Sequence, residues 1–339
     1  MKNSRFLLNA GVVVAASATL TSMLAAPASA GTALLDTEAG EAMEAAVPEV
    51  FENAHPDIET SQEGLTATTD NGRSVVPASP SEPISVDGYG DRSVSLRLPF
   101  PEQTGAARVL DDGTAVFDHG NGARTVPLLK DDGSVQVTSV LRDASAPDEY
   151  EYDFSAPGLE QITQDEDGVL TLLDAEGEYL GGVAAAWAKD AEGRDVPTRY
   201  EIDGTTVTQV IEHTGDGVTH PVTADPWLGI DLFSETSTDE YEGDLRVNAQ
   251  KSTWGQVNHL PAPSSWSVFL GPGWDELVDK QPEVTEKLTL HQQYNCHVAG
   301  GYGQIAGDWN LEKIRPNRTN HWSYGVAVHR CNWETADRY

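Results

Sequence analysis

Cysteine is scarce in this sequence: Cys296 and Cys331 are the only two among 339 residues. Neither a C-x-x-C nor an H-x-x-x-H spacing occurs, so the ligand patterns of familiar zinc sites are missing. A zinc site would have to combine the two cysteines with His297 and His329, and the adjacent Cys296 and His297 do not easily point at one ion. We therefore predict no metal and no other cofactor.

Basic residues are also few, since 21 Lys and Arg stand against 54 Asp and Glu, a formal net charge of −33. The excess lies in residues 31–245, with 10 basic and 45 acidic residues, whereas residues 246–339 carry nine of each. An acidic surface repels nucleic acid and anionic membranes, so neither is an expected partner of residues 31–245.

Apolar runs long enough to cross a membrane are absent after residue 30. Before it, Lys2 and Arg5 precede an apolar run from Phe6 to Ala26, and Ala28-Ser29-Ala30 is typical of a cleavage site. Polar residues interrupt the run, which argues against the alternative of a membrane anchor. Residues 1–30 are thus predicted to be a signal peptide. The mature chain from Gly31 is predicted to be secreted, extracellular and free of the membrane, with an unknown extracellular partner.

The mature chain is longer than one hydrophobic core usually organises, so two domains are expected. Apolar residues at helical spacing predict an amphipathic helix over 34–47, which Pro48 should end. Residues 55–90, rich in Pro, Ser, Thr and Gly, indicate a linker or short edge strands.

Residues 91–227 show the alternation of half-buried strands, separated by Asp-Gly and Asn-Gly turns. This pattern predicts an acidic, mainly β module, an antiparallel meander or sandwich. Predicted strands cover 92–98, 114–118, 123–130, 134–141, 149–154, 169–174, 197–202 and 205–213. A calcium loop around Asp165 is the alternative for one turn, but Thr163 and Asp174 stand where its first and last ligands would be.

Two phrases of this region are distinctive: Gly181 to Asp190 reads GGVAAAWAKD, and His220 to Trp227 reads HPVTADPW. Over about residues 30–227 the chain resembles an amino-terminal module of secreted actinobacterial proteins that precedes unrelated carboxy-terminal domains. The resemblance implies export and a boundary near Trp227, and no activity.

Residues 228–339 are predicted to form a small α+β domain. Helices are expected at Asp275–Lys280 and Glu283–Ala299, the second stopped by Gly300-Gly301, with strands at Asp244–Gln250 and Asn320–Arg330. In an exported chain the two cysteines most simply pair, which would tie the second helix to the end of the last strand. Free thiols are the alternative.

Three phrases of this domain stand in order: QYNCHV at Gln293 to Val298, WNLEKIRP at Trp309 to Pro316, and RCN at Arg330 to Asn332. They resemble the bacterial family catalogued as domain of unknown function 2599, over about residues 240–333. The resemblance implies no reaction or ligand.

Two functions remain open. The first is an extracellular binding or effector module carried by the acidic leader, with Tyr294, Trp309, Arg315 and Trp322 as possible ligand-binding residues. In the structural alternative, Arg315 pairs with Glu312 and holds a loop. The second function is a hydrolase using His297 or His329 as acid/base with Glu312 or Asp308. No G-x-S-x-G, H-E-x-x-H or phosphate-loop motif is present, so whether the protein is an enzyme stays open.

Overall fold

A computed structural model describes residues 43–55, 57–110, 113–259, 266–301, 307–321, 323 and 331–337. The predicted signal peptide and the predicted helix before residue 43 lie outside these residues. So do Trp322 and residues 324–330, which hold His329 and most of the predicted last strand.

The described chain is mainly antiparallel β-structure. It forms 21 strands: β1 (Ile58–Thr60), β2 (Gly64–Thr68), β3 (Arg73–Pro77), β4 (Ile84–Asp87), β5 (Ser93–Arg97), β6 (Arg108–Val109), β7 (Ala115–Asp118), β8 (Ala123–Leu129), β9 (Val135–Leu141), β10 (Glu149–Ser155), β11 (Leu159–Gln164), β12 (Leu170–Asp174), β13 (Tyr179–Val183), β14 (Ala188–Lys189), β15 (Thr198–Asp203), β16 (Thr206–Ile211), β17 (Val222–Ala224), β18 (Trp227–Gly229), β19 (Phe233–Tyr241), β20 (Asp244–Lys251) and β21 (Trp309–Glu312).

The described strands form three sheets, and neighbouring strands in them are antiparallel. The first has the order β1-β2-β3-β4-β5-β10-β16-β15, and the second has the order β11-β12-β13-β18-β9-β8-β7-β6, with β17 beside β9 and β14 beside β17. The third is β19-β20-β21. Each strand predicted between residues 92 and 213 is confirmed, and residues 55–90 form strands β1 to β4 rather than a linker.

The first two sheets bury a common cluster of apolar side chains, as in a sandwich. Strand β10 shows why the alternation was informative: Tyr150, Tyr152 and Phe154 face the cluster, and the acidic residues between them face solvent. Strand β9 is buried on both faces, because Met43, Val47 and other residues of the amino-terminal segment cover the outer side of the second sheet. Residues 43–46 are helical, and the 3-10 turn Pro48–Phe51 follows, so Pro48 does end the helix.

Three hairpin turns are closed by the carboxylate of an aspartate at their first position. Asp165 Oδ1 accepts hydrogen bonds from the backbone N–H groups of Asp167 and Val169, both at 2.9 Å. Asp174 and Asp190 make the same pair of contacts in their turns. These oxygens serve the turn geometry that the sequence pattern predicts.

The helices lie in the carboxy-terminal part: α1 (Thr253–Val257), a helical turn (Trp266–Val268), a π-helical turn (Phe269–Gly273), α2 (Trp274–Lys280), a 3-10 turn (Pro282–Thr285) and α3 (Leu288–Gly300). Helix α2 matches its prediction. The predicted start of α3 at Glu283 is wrong, because Lys287 is extended and its Nζ reaches the backbone carbonyl of Lys313 at 2.6 Å. None of the helices in the described part of the chain combines the length and apolar character that a membrane span requires.

A second apolar cluster takes its members from Leu232 to Leu311, together with Tyr179. The side chain of Trp254 in α1 joins it to the second sheet, since its ring lies against the backbone of Gly182 and Gly229. A Cβ atom on Gly229 would lie 2.3 Å from Trp254 Cγ, so this slot requires glycine. The second cluster is therefore packed directly against the second sheet.

Candidate functional site

The predicted disulfide is present. Cys296 in α3 and Cys331 are bonded, with their Cα atoms 5.4 Å apart, and both are buried beside Trp333. A bonded pair cannot supply thiolates, so the zinc alternative built on these residues is excluded. Among the described residues, no three His, Cys, Asp or Glu side chains are grouped as a metal site.

His297, the predicted acid/base on α3, is shielded from solvent. Its ring stacks on Trp309 at 5.5 Å between centroids and is 6% exposed. Burial lowers its pKa to about 4, and Nε2 has no hydrogen-bond partner among the described residues. Asp308 is exposed, and Glu312 binds Arg315 and accepts its hydrogen bond. In the part of the chain that the structure describes, no carboxylate is seen in the orienting role that acid/base catalysis uses.

The predicted ligand-binding residues lie mostly inside the second cluster. Trp309 and Tyr294 have no exposed surface, and the Tyr294 hydroxyl donates to the carbonyl of Phe269 at 2.6 Å. Arg315 adopts the structural alternative by pairing with Glu312. Neither aromatic ring therefore offers a surface to a ligand in this structure.

A buried pair, Lys251 and His259, lies beside Trp309, and no sequence pattern predicts it. Lys251, at the end of β20, donates from Nζ to the carbonyl of Gly301 at 2.7 Å and lies 2.9 Å from His259 Nδ1. His259 Nε2 lies 2.7 Å from the carbonyl of Val298, so Nε2 carries the proton and Nδ1 accepts from Lys251. Burial lowers the pKa of Lys251 to about 7 and that of His259 to about 4. The pair ties β20 to the end of α3.

An open cavity lies elsewhere in the described part of the chain. A cavity of about 530 Å³ lies between the second sheet, the 3-10 turn at Pro48–Phe51 and helix α1. Its walls are largely apolar. They are formed by Glu49, Val50, Glu52, Asn53, Gln136, Val169, Ala184, Ala185, Trp187, Lys189, Asp225, Trp227, Thr253, Gln256, Val257 and Asn258.

Asp225 is the buried acid of this cavity. Its Oδ2 accepts a hydrogen bond from Gln136 Nε2 at 2.9 Å, whereas its Oδ1 has no hydrogen-bond partner among the described residues. Burial raises the pKa of Asp225 to about 7, although the hydrogen bond from Gln136 and the nearby polar hydrogens of Trp187 act in the opposite direction. Near neutral pH the carboxyl group is thus close to the midpoint of its titration.

Both tryptophans and the buried carboxylate of the cavity come from the two phrases that carry the module resemblance. Trp187 belongs to GGVAAAWAKD, and Asp225 and Trp227 belong to HPVTADPW. Strand β14 pairs with β17, which brings the two phrases together. The carboxylate of Asp225 and the indole of Trp227 stand two residues apart in the sequence. This pair is the sequence feature that could have pointed to the cavity.

Asp225 is expected to make the free energy of unfolding depend on pH. Its folded-state pKa of about 7 lies above the ordinary value of 3.8, so the folded protein keeps a proton that the unfolded chain loses. The resulting stabilisation is complete below an ordinary Asp pKa of about 3.9 and is lost as the pH rises through the folded-state value. We expect the stability of the wild type relative to Asp225→Asn to fall across this window in urea titrations at several pH values. Asp216→Asn, at an exposed position, should show no such trend. A pH-independent difference for Asp225→Asn would contradict a proton held on this group.

Comparison with known protein families finds no match for this chain, and comparison with curated proteins finds none either.

Proposed function

We propose that this is an exported binding protein and that the cavity between Trp187 and Trp227 is its ligand site. The observation that carries the proposal is the cavity itself, of about 530 Å³, with a buried carboxyl oxygen that has no donor among the described residues. Sites for small molecules are typically apolar clefts of about 300–1,000 Å³ with a few placed polar groups. The cavity fits that description in both size and composition.

The hydrolase alternative has less support. His297 is packed flat on Trp309, and among the described residues no carboxylate is seen to orient it. Acid/base catalysis needs a histidine that reaches substrate and has a pKa near the working pH. The buried ring of His297, with its pKa of about 4, meets neither requirement.

Export and the two-domain organisation belong to the same proposal. The amino-terminal apolar stretch and the buried disulfide are both typical of exported chains. The change of apolar cluster between Ile230 and Leu232 supports an acidic β-rich leader that carries a carboxy-terminal unit. The proposed relation of that unit to domain of unknown function 2599 rests on its three sequence phrases.

A panel of three small probes tests the binding function: phenethylamine, phenethyl alcohol and phenylacetate. They share one aromatic body and differ in charge, and ligand-observed NMR with the full chain detects weak binding of each. Ala185, half-buried on the cavity wall, is the position for a blocking variant, Ala185→Phe. Ala175→Phe, in an exposed turn, is its matched control.

We expect at least one probe to bind the wild type and Ala175→Phe, and to lose binding in Ala185→Phe, because the added ring occupies the cavity. If no probe binds, or if binding survives in Ala185→Phe, the cavity is not the ligand site.

A further inference from the structure

Two buried oxygen atoms of residues that line the cavity accept no hydrogen bond from the described residues. Asp225 and Gln136 are 1% and 3% exposed, and both line the cavity. Because the Gln136 amide nitrogen donates to Asp225 Oδ2, its Oε1 is left as an acceptor, and like Asp225 Oδ1 it has no partner among the described residues. A buried polar group without a hydrogen-bond partner destabilises the folded protein. A ligand that donates two hydrogen bonds here would remove that cost.

The cations near the cavity already have partners. Lys130 Nζ donates to the carbonyls of Val50 and Glu52 and lies 5.0 Å from the ring centroid of Trp227. Lys189 Nζ pairs with Asp195 at 2.8 Å. The carboxylates of Glu49 and Glu52 are exposed at the cavity wall. The balance of charge at this site therefore favours a ligand that brings positive charge.

The remaining walls favour an apolar body. Trp187 and Trp227 are both half-buried, and Val169, Ala184 and Ala185 add apolar surface. Indole faces attract cations and pack well against flat apolar groups. An ion without an apolar body would leave most of this wall unused.

We propose that the cavity binds a small primary organic amine, with its ammonium group donating to Asp225 Oδ1 and Gln136 Oε1 and its apolar body between Trp187 and Trp227. This inference rests on the proposed binding function and names the ligand class of the same site.

The pH dependence of binding follows from the groups that face the carboxyl. Lys130, Tyr152 and Tyr200 face it from the two sheets, and Glu49, Glu52 and Lys189 stand on the cavity wall. An alkylammonium resembles lysine and keeps its proton below about pH 10. Asp225, with a pKa of about 7, becomes fully ionised as the pH rises, and Lys130, with a pKa of about 8, then begins to lose its charge. Both changes strengthen binding of a cation.

Isothermal titration of the full chain with phenethylamine and with phenethyl alcohol tests the inference. Asp225→Asn removes the charge and keeps the size of the side chain, and Asp216→Asn, at an exposed position, is the matched control. We expect Asp225→Asn to weaken phenethylamine about tenfold or more and to leave the alcohol unchanged, because a hydrogen bond to a charged group is lost.

Wild-type affinity for phenethylamine should also rise about tenfold between about pH 6 and about pH 8, with the ionised fraction of Asp225. If circular dichroism shows that Asp225→Asn does not fold, the pH dependence of wild-type affinity alone tests the inference. An affinity that is flat or falls over this range, or an unchanged affinity in folded Asp225→Asn, overturns the inference.

The panel separates the two proposals. If the alcohol binds as tightly as the amine and Ala185→Phe abolishes both, the amine class is wrong and the binding function stands. If no probe binds, both proposals fail.

Discussion

Replacing Trp254 with alanine is expected to lower the free energy of unfolding by about 3–5 kcal/mol, the usual cost of removing a buried tryptophan side chain. The ring is 1% exposed and fills the slot over Gly182 and Gly229. Its backbone N–H also donates to Asp132 at 2.7 Å, which links α1 to the turn between β8 and β9. Loss of the ring therefore removes an apolar contact between the second cluster and the second sheet.

Urea unfolding followed by far-UV circular dichroism measures this effect, with Val257→Ala as the control. Val257 lies on the same helix and is exposed, so its truncation should change stability by less than about 0.5 kcal/mol. Gly229→Ala approaches the contact from the other side and is expected to cost about 1–3 kcal/mol by overpacking. Combined with Trp254→Ala, the Gly229→Ala change should become nearly neutral, because the colliding ring is gone. Additive losses would show that the slot does not join the clusters.

Replacing Glu276 with alanine is expected to cost about 3–5 kcal/mol, as when one partner of a buried ionic group is removed. Glu276 Oε2 accepts the backbone N–H of Leu232 at 2.8 Å, and Oε1 accepts that of Phe233 at 3.0 Å. Lys280 Nζ also donates to Oε1 at 2.7 Å. Alanine would leave two backbone donors and a buried cation without this acceptor.

The same carboxylate belongs to a larger network. Arg92, immediately before β5, donates to Asp231 Oδ1 at 2.7 Å and lies 3.9 Å from Glu276 Oε2. Burial and the nearby Glu276 raise the pKa of Asp231 to about 6. The network thus connects the first sheet to α2 at the point where the chain passes from one apolar cluster to the other.

Thermal and urea unfolding of Glu276→Ala, Glu276→Gln and Glu283→Ala test this assignment. The glutamine variant keeps one acceptor oxygen and should lose less than the alanine variant. Glu283 is exposed in the neighbouring 3-10 turn, so its truncation should be within about 0.5 kcal/mol of the wild type. A loss below about 1 kcal/mol for Glu276→Ala would refute a stabilising role for the network.

Strands with one solvated face are the easiest to predict from sequence, because buried and exposed residues alternate along them. In β10 the acidic residues alternate with buried aromatics, and this period of two is visible in the letters. Strands β11 and β19 were missed because most of their residues are at least partly exposed, so apolar alternation is weak. Strand β21 is difficult to predict from sequence, because Trp309 and Leu311 alternate with polar residues over only four positions.

The disulfide could be predicted because two cysteines leave a single intramolecular pairing and the amino-terminal sequence predicts export. The cavity could not be predicted, because its walls come from positions as distant as Glu49, Gln136 and Val257. Only the strand pairing of β14 with β17 and of β18 with β9 brings Trp187, Asp225 and Gln136 together. The spacing of these residues along the sequence does not indicate such long-range strand pairing.

The burial of His297 was equally hidden. Helical spacing places His297 on the same side of α3 as Leu290 and Tyr294, and those two residues belong to the second cluster. The stacking of its ring on Trp309 depends on β21 lying beside α3, which the sequence did not indicate.

A crystal structure of the full chain grown with phenethylamine is the most direct test of a ligand site between Trp187 and Trp227. We predict that the amine nitrogen lies within hydrogen-bonding distance of Asp225 Oδ1 and Gln136 Oε1, with the phenyl ring between the two indoles. A cavity without the amine, in crystals grown at a concentration that saturates the protein in solution, would contradict the proposed site.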